Sequence, residues 1–467
     1  MSEHDLDFAG IGELHRLLRA GTVTSVELTR RVLDRLAAQG PRYNALAELT
    51  SELALAQARS ADLRLRRGRA ASALTGIPYG AKDLLATKGI PTRWGAPPFR
   101  DQVFDYDATV VARLRDAGAV LVGKLAMVEL AGGGGYHYAS ASLHGPGLNP
   151  WDLNRWSGGS SSGSGSAVAA GLVPFALGSE TWGSIMTPAS FCGVTGLRPT
   201  AGRVSRSGAM DLAWSMDKIG PMARSAQDCG WILQPIAGHD PADASTVHRT
   251  FVFQPWIRRR TFRLGVLPLD YADTPGGAET EQAFREALRV LRSTGMKVAS
   301  ARWPDYPLAD IARTVLGGEI AAAHEVFIKS DYLDDLVDAG QKEGLRGYLT
   351  LTAAEFARAS AQRAAAAQAV YGLFERFDAL VAPTLIGEAV TLDTMLSGRL
   401  AGRRGTSVLG AVAGVPALSV PMGRGAAGLP LGLSITGNLF EENTVLQLGM
   451  RYQRETDWHR ARPPVGT

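Results

Sequence analysis

Apolar positions recur at helical spacing in the first forty residues. Leu14, Leu17 and Leu18 share one face, and Val26, Val32, Leu33 and Leu36 share another, which predicts two helices between residues 11 and 38. Thr24 followed by Glu27 fits a capping box opening the second of them. Residues 53–69 read as a further helix. After it the pattern changes. Residues 76–85 form a short apolar strand interrupted by Lys82 and Asp83, 109–116 a helix, and 119–123 a short strand without a polar position. Residues 264–267 and 377–384 repeat the strand pattern, 277–293 and 308–374 are mainly helical, 406–420 and 431–436 are core segments, and 441–451 is a closing helix. Fully apolar strands alternating with helices predict an α/β fold whose sheet is covered on both faces. Residues 235–263 lose periodicity and read as a long surface excursion.

Composition narrows the class. The chain has 467 residues with a formal net charge of +4, too little for a nucleic-acid binder of this length. Two cysteines, Cys192 and Cys229, cannot build a disulfide framework or a four-cysteine zinc site, and no metal or cofactor is expected. The first residues carry no basic and apolar leader, and the longest apolar stretches, 167–177 and 408–421, fall short of about 20 residues and contain Gly or Pro. A cytoplasmic protein that does not enter a membrane is expected. Glycine is in excess, and 16 of the 54 glycines lie within residues 131–205.

That zone contains Ser157-Gly-Gly-Ser-Ser-Ser-Gly-Ser-Gly-Ser. By composition it is a flexible linker. Yet the small apolar run that follows, from Ala167, belongs to a core, and a Ser/Gly loop entering a buried helix gathers N–H groups and hydroxyls at one place. Two motif matches fail on context. Gly159-Ser-Ser-Ser-Gly matches a nucleophile elbow, but 154–158 reads as a turn where a strand is required. Gly118-Ala-Val-Leu-Val-Gly-Lys-Leu lacks the hydroxyl residue of a phosphate-binding loop and reads as a strand.

Gly158-Gly-Ser-Ser-Ser-Gly-Ser, Ala170-Gly-Leu-Val-Pro-Phe-Ala-Leu-Gly-Ser-Glu-Thr-Trp-Gly-Ser-Ile and Pro188-Ala-Ser-Phe-Cys-Gly-Val-Thr-Gly-Leu-Arg-Pro-Thr resemble the signature of the amidase-signature hydrolases. The resemblance continues through Gly76-Ile-Pro-Tyr-Gly-Ala-Lys-Asp, Gly202-Arg-Val-Ser, Ser215-Met-Asp-Lys-Ile-Gly-Pro-Met-Ala-Arg-Ser, Ala413-Gly-Val-Pro-Ala-Leu-Ser-Val-Pro and Gly428-Leu-Pro-Leu-Gly-Leu, and it spans about residues 11–455, weakly over 235–375. It implies one domain with an α/β/α fold and a large mixed central sheet. The core would be about 70–234 and 376–455, residues 1–70 would form N-terminal helices, and 235–375 a variable, mostly helical region on the substrate side.

The resemblance further implies a Ser–cisSer–Lys triad, with Ser184 as nucleophile, Ser160 as bridging serine behind a cis bond from Gly159, and Lys82 as base. The physical logic agrees: a serine hydroxyl needs a base, and a lysine is one only when burial keeps it neutral. The oxyanion hole would be the backbone N–H groups of Thr181, Trp182, Gly183 and Ser184, each donor being worth about 3–4 kcal/mol in related chemistry. Where the family usually has Asp-Thr-Gly-Gly-Ser-Ile-Arg, this chain has Glu180-Thr-Trp-Gly-Ser-Ile-Met. Trp182 must place an indole beneath the turn or in the pocket, and Met186 removes any partnership of an arginine there with Glu180. Trp94, Met127, Tyr136, Tyr138 and Met186 are expected near the substrate mouth, with His137 either there or on a surface loop.

The expected activity is hydrolysis of an amide or carbamate bond, and of esters by the same acyl-enzyme, in a small, partly apolar or aryl molecule, by a monomer or homodimer. The alternatives are a glutamine-hydrolysing component of a tRNA amidotransferase and a catalytically inactive scaffold of the same fold.

Overall fold

The apolar runs assemble into a mixed sheet of 11 strands in the computed structural model, which describes residues 6–257, 260–396 and 405–464. In chain order the strands are β1 (Leu46–Leu49), β2 (Pro78–Lys82), β3 (Val120–Leu125), β4 (Leu148–Asn149), β5 (Asp152–Trp156), β6 (Phe175–Glu180), β7 (Thr195–Arg198), β8 (Lys218–Ala223), β9 (Arg263–Val266), β10 (Lys297–Ser300), β11 (Ala379–Pro383), β12 (Ala417–Arg424) and β13 (Pro430–Gly437). The sheet order is β1-β3-β2-β6-β8-β7-β12-β13-β11-β9-β10, and β4 and β5 form a separate hairpin. β2 is parallel to β3 and β6, while β6 pairs antiparallel with β8 in a register that sets Glu180 opposite Lys218. Every residue of β2, β3, β8, β11 and β13 is buried. A strand covered on both faces has no solvent side, so its sequence does not alternate.

Helices lie on both faces. On β12, Leu418 and Val420 approach Gly449 of the Glu442–Arg454 helix, whereas Ser419 turns toward Gly432 and Ser190 of the Met186–Cys192 helix. Successive strand residues point to opposite faces, so these two helices flank the sheet. The Met186–Cys192 helix packs beside the Ser162–Ala169 helix. Ser160 and Ser184 each lie just before one of this pair, which brings the two serine loops together.

The predicted capping box forms: the Glu27 N–H donates to Thr24 Oγ1 at 3.1 Å, and Glu27 Oε2 accepts from the Thr24 N–H at 2.8 Å. The stretch 308–374 is three helices, Leu308–Ile328, Ala339–Tyr348 and Ala353–Arg376, because Asp338 and Thr352 cap new starts within it. Residues 154–156, read as a turn, belong to β5, a polar hairpin strand whose one fully buried side chain, Trp156, leaves no apolar alternation to read. The mostly exposed edge strand β10 is missed for the same reason. Residues 237–262 carry no helix or strand among those described. They are nonetheless anchored, since the Gln447 side-chain amide donates to the carbonyls of Gln254 and Trp256.

Candidate active site

Lys82 ends β2 and is wholly buried. Its Nζ lies 2.6 Å from Ser160 Oγ and 2.9 Å from Ser179 Oγ. Burial pulls its pKa down to about 7, against the upward pull of Asp217 and Glu180. At neutral pH a large fraction is therefore the free amine, which accepts the Ser160 proton, and the charged form donates to both hydroxyls.

Ser160 follows a cis Gly159–Ser160 peptide bond. A Cβ on Gly159 would sit 2.8 Å from the Trp156 ring and from Val128, so no larger residue fits there. The Ser160 carbonyl accepts from the Val128 N–H at 3.1 Å, and the Ser161 N–H donates to the Ser184 carbonyl at 3.2 Å, a direct tie between the two loops. The Ser161 hydroxyl is buried and donates to the Ser179 carbonyl, so the second serine of the elbow-like motif faces inward.

Ser184 is half-buried. Before it, Gly183 adopts φ +93°, a conformation that only glycine enters freely. Among the described residues, the Gly183 and Ser184 N–H groups have no protein acceptor. The next two N–H groups, of Ile185 and Met186, donate to Glu180 Oε2 at 2.8 and 2.9 Å. Two unassigned N–H groups beside a hydroxyl are the donors that an anionic tetrahedral oxygen needs.

Glu180 is fully buried and paired with Arg198 at 2.8 Å, and Arg198 also donates to the carbonyls of Ser407 and Val415. Burial pushes the Glu180 carboxyl up, but Arg198 and the Met186 N–H outweigh it and hold the pKa below its ordinary value. Met186 thus leaves Glu180 fully engaged, because the guanidinium arrives from β7.

The remaining expected residues scatter in depth. Met186 and Met127 are buried, the latter inside the main core cluster under the 94–95 turn. Tyr136 stacks edge-on against Trp156, and its hydroxyl lies near Gly159, which places it beside the Ser160 loop. Tyr138 is exposed, and its N–H, like that of His137, is held by Asp338. Trp182 is half-buried and packs against an apolar cluster from the Leu308–Ile328, Ala353–Arg376 and Ser407–Ala413 helices, to which Trp303, Tyr371 and Leu439 also pack.

Three residues at the site escaped the sequence reading: Ser179, Asp217 and Lys218. Ser179, together with Thr181, Asp217, Lys218 and Met210, lines a small cavity. Met210 and Asp211 are shared with an adjoining groove of about 720 Å³ bounded by Trp94, Phe99, Phe104, Tyr106, Trp214, Phe327 and Tyr332. The available signal was a Lys/Asp pair at the end of an all-apolar strand. It occurs at Lys82-Asp83 and again, inverted, at Asp217-Lys218. Among the described residues no group of His, Cys, Asp or Glu is arranged to hold a metal ion, and no helix is long and apolar enough to cross a membrane.

The chain resembles known proteins over almost its whole length. The family model described as Amidase matches residues 27–446. A glutamyl-tRNA(Gln) amidotransferase subunit from Roseiflexus sp. (strain RS-1) is 38% identical over 97% of this chain and 98% of its own length. The peptide amidase of Stenotrophomonas maltophilia superposes with a TM-score of 0.85 at 31% identity, covering 98% of each chain. The 6-aminohexanoate cyclic dimer hydrolase, solved with its substrate, superposes with a TM-score of 0.86 at 27% identity over 98% of this chain and 99% of its own. The chain belongs to the amidase-signature family of hydrolases that act on carbon–nitrogen bonds.

Proposed function

We propose that this protein hydrolyses the C–N bond of a small carboxamide or carbamate through an acyl-enzyme on Ser184. The observation that carries the reading is the buried Lys82–Ser160 contact at 2.6 Å, with the amine near neutrality, next to a turn with uncommitted N–H groups. Lys82 draws the Ser160 proton, Ser160 takes that of Ser184, and the Ser184 oxygen attacks the carbonyl. The Gly183 and Ser184 N–H groups receive the developing oxyanion. The proton returns through Ser160 to the departing amine, and water releases the acyl group by the same relay.

The substrate class follows from the surroundings. The apolar cluster behind Trp182 and the aromatic groove adjoining the Ser179 cavity support a partly apolar, including aryl, substrate. A second reading, with glutamine as the amide and a partner protein receiving the ammonia, is favoured by the curated relatives. These are glutamyl-tRNA(Gln) amidotransferase subunits, such as those of Roseiflexus and Chloroflexus aggregans, 38% and 36% identical over almost the whole chain. A panel of an anilide, an aliphatic amide, a carbamate, an ester and glutamine separates the two. Turnover of glutamine alone, or only with a partner protein present, would overturn the first.

A fluorophosphonate is expected to add one mass increment to the peptide bearing Ser184. Labelling elsewhere, or full turnover without labelling, contradicts the mechanism. Trp182→Gly is expected to raise KM for the anilide about tenfold while that of the small aliphatic amide moves little, since lost apolar contact is worth roughly that much. An unchanged KM with a lowered melting temperature would assign Trp182 to packing alone.

A further inference from the structure

We propose that Asp217 and Lys218 are positioning residues for the oxyanion turn. They grip Thr181 on two sides, and so hold the entrance of the backbone segment whose N–H groups meet the reacting oxygen. The inference rests on the reading of Ser184 as nucleophile.

Lys218 is buried at the start of β8, and its Nζ donates to the Thr181 carbonyl at 3.3 Å and to the Gly410 carbonyl at 3.2 Å. The Thr181 hydroxyl donates to Asp217 Oδ1. The other Asp217 oxygen is fixed by the N–H groups of Leu212 and Ala213 at 2.7 and 2.9 Å. The far end of the same turn is pinned by the Ile185 and Met186 N–H groups on Glu180. Residues 182–184 are thus a three-residue span tied at both ends.

The Thr181 carbonyl and the Trp182 N–H belong to one planar peptide and point in opposite directions. A donor that fixes that carbonyl therefore also fixes the direction of the N–H, and with it the path of the chain into Gly183 and Ser184. Gly183, with its positive φ and no side chain to pack, cannot resist rotation of the planes on either side of it. The plane after it is held by the Thr187 N–H, which donates to the Gly183 carbonyl at 2.7 Å, and the restraint on the plane entering the turn comes from Thr181. Lys218 and Asp217 act through Thr181. They act by keeping N–H groups aimed where negative charge develops.

The test compares Lys218→Met, Thr181→Val and Thr181→Ser with the parent protein, using para-nitrophenyl butyrate turnover and the rate of fluorophosphonate inactivation. Lys218→Met and Thr181→Val are each expected to lower kcat and the inactivation rate together, by about tenfold to a hundredfold, with KM within about twofold, because misaimed donors weaken only the transition state. Thr181→Ser keeps the hydroxyl that Asp217 holds and is expected to recover most of the rate that Thr181→Val loses. Unchanged rates per folded molecule in both variants, or a loss confined to KM, would overturn the proposal. If Lys218→Met fails to fold, Thr181→Val decides alone. A parent protein that takes up no label on Ser184 instead overturns the underlying mechanism, so the two failures are distinguishable.

Discussion

Lys82→Met is expected to lower kcat/KM by about 10⁴-fold or more, the size seen when a member of a nucleophile–base unit is removed. Among the described residues the only amine at hydrogen-bond distance from the Ser160 hydroxyl is Lys82 Nζ, so removing it leaves that proton no basic acceptor there. In the parent protein the active form has the lysine neutral. With its pKa brought down to about 7 by burial, kcat/KM should rise with pH below about 7 and level off above it. A profile flat from about pH 5 to 9 would contradict Lys82 as base. Stability gives an independent sign. The folded value lies below the ordinary lysine value of 10.5, so between about 7 and 10.5 the unfolded chain binds more protons, and the contribution of this group to stability rises with pH. Methionine removes that dependence. The variant is therefore expected to melt no lower than the parent at pH 7, with its advantage shrinking toward pH 10. Its two serine neighbours lose a partner, which offsets part of the gain.

Arg198→Met is expected to be the most damaging substitution for stability, at about 3–5 kcal/mol by chemical denaturation at pH 7, because it strands a buried carboxylate. Glu180 would keep only the Ile185 and Met186 N–H groups, and the carbonyls of Ser407 and Val415 would lose their donor. Double replacement of Glu180 by Gln and Arg198 by Met should recover part of the loss, since the unpaired charge is then gone. Equal losses in the single and double variants would show that shape, not charge, carries the effect. Because Glu180 also ends the oxyanion turn, the single variant should lose kcat in whatever fraction stays folded.

Much of the site was legible in the chain. Lys82 stands out as a cation inside an apolar strand, and the Ser/Gly run at 157–166 stands out against the core-like segment behind it. Both are local signals, since burial of a strand and clearance of side chains from a loop are written in residue type. The same reasoning placed many of the helices and the strands β2, β3, β9 and β11, but it named no strand at β6, β7 or β8 in the middle of the sheet. It failed at β5 and β10, where polar strands have no periodicity, and it did not distinguish Met127, which is in the core, from Tyr136, which lies beside the Ser160 loop.

Residue types and their order along the chain determined the fold class, the family signature, the candidate triad and the departure at 182 and 186. Tertiary structure decided which groups meet. Lys82 and Ser160 are 78 residues apart, and Glu180 and Arg198 sit on strands separated in the sheet by β8. That Met186 leaves Glu180 paired, and that Lys218 reaches under Thr181, follow from strand order and register. Those are set by packing among distant segments, where the energy of one contact depends on all the others and no local pattern records it.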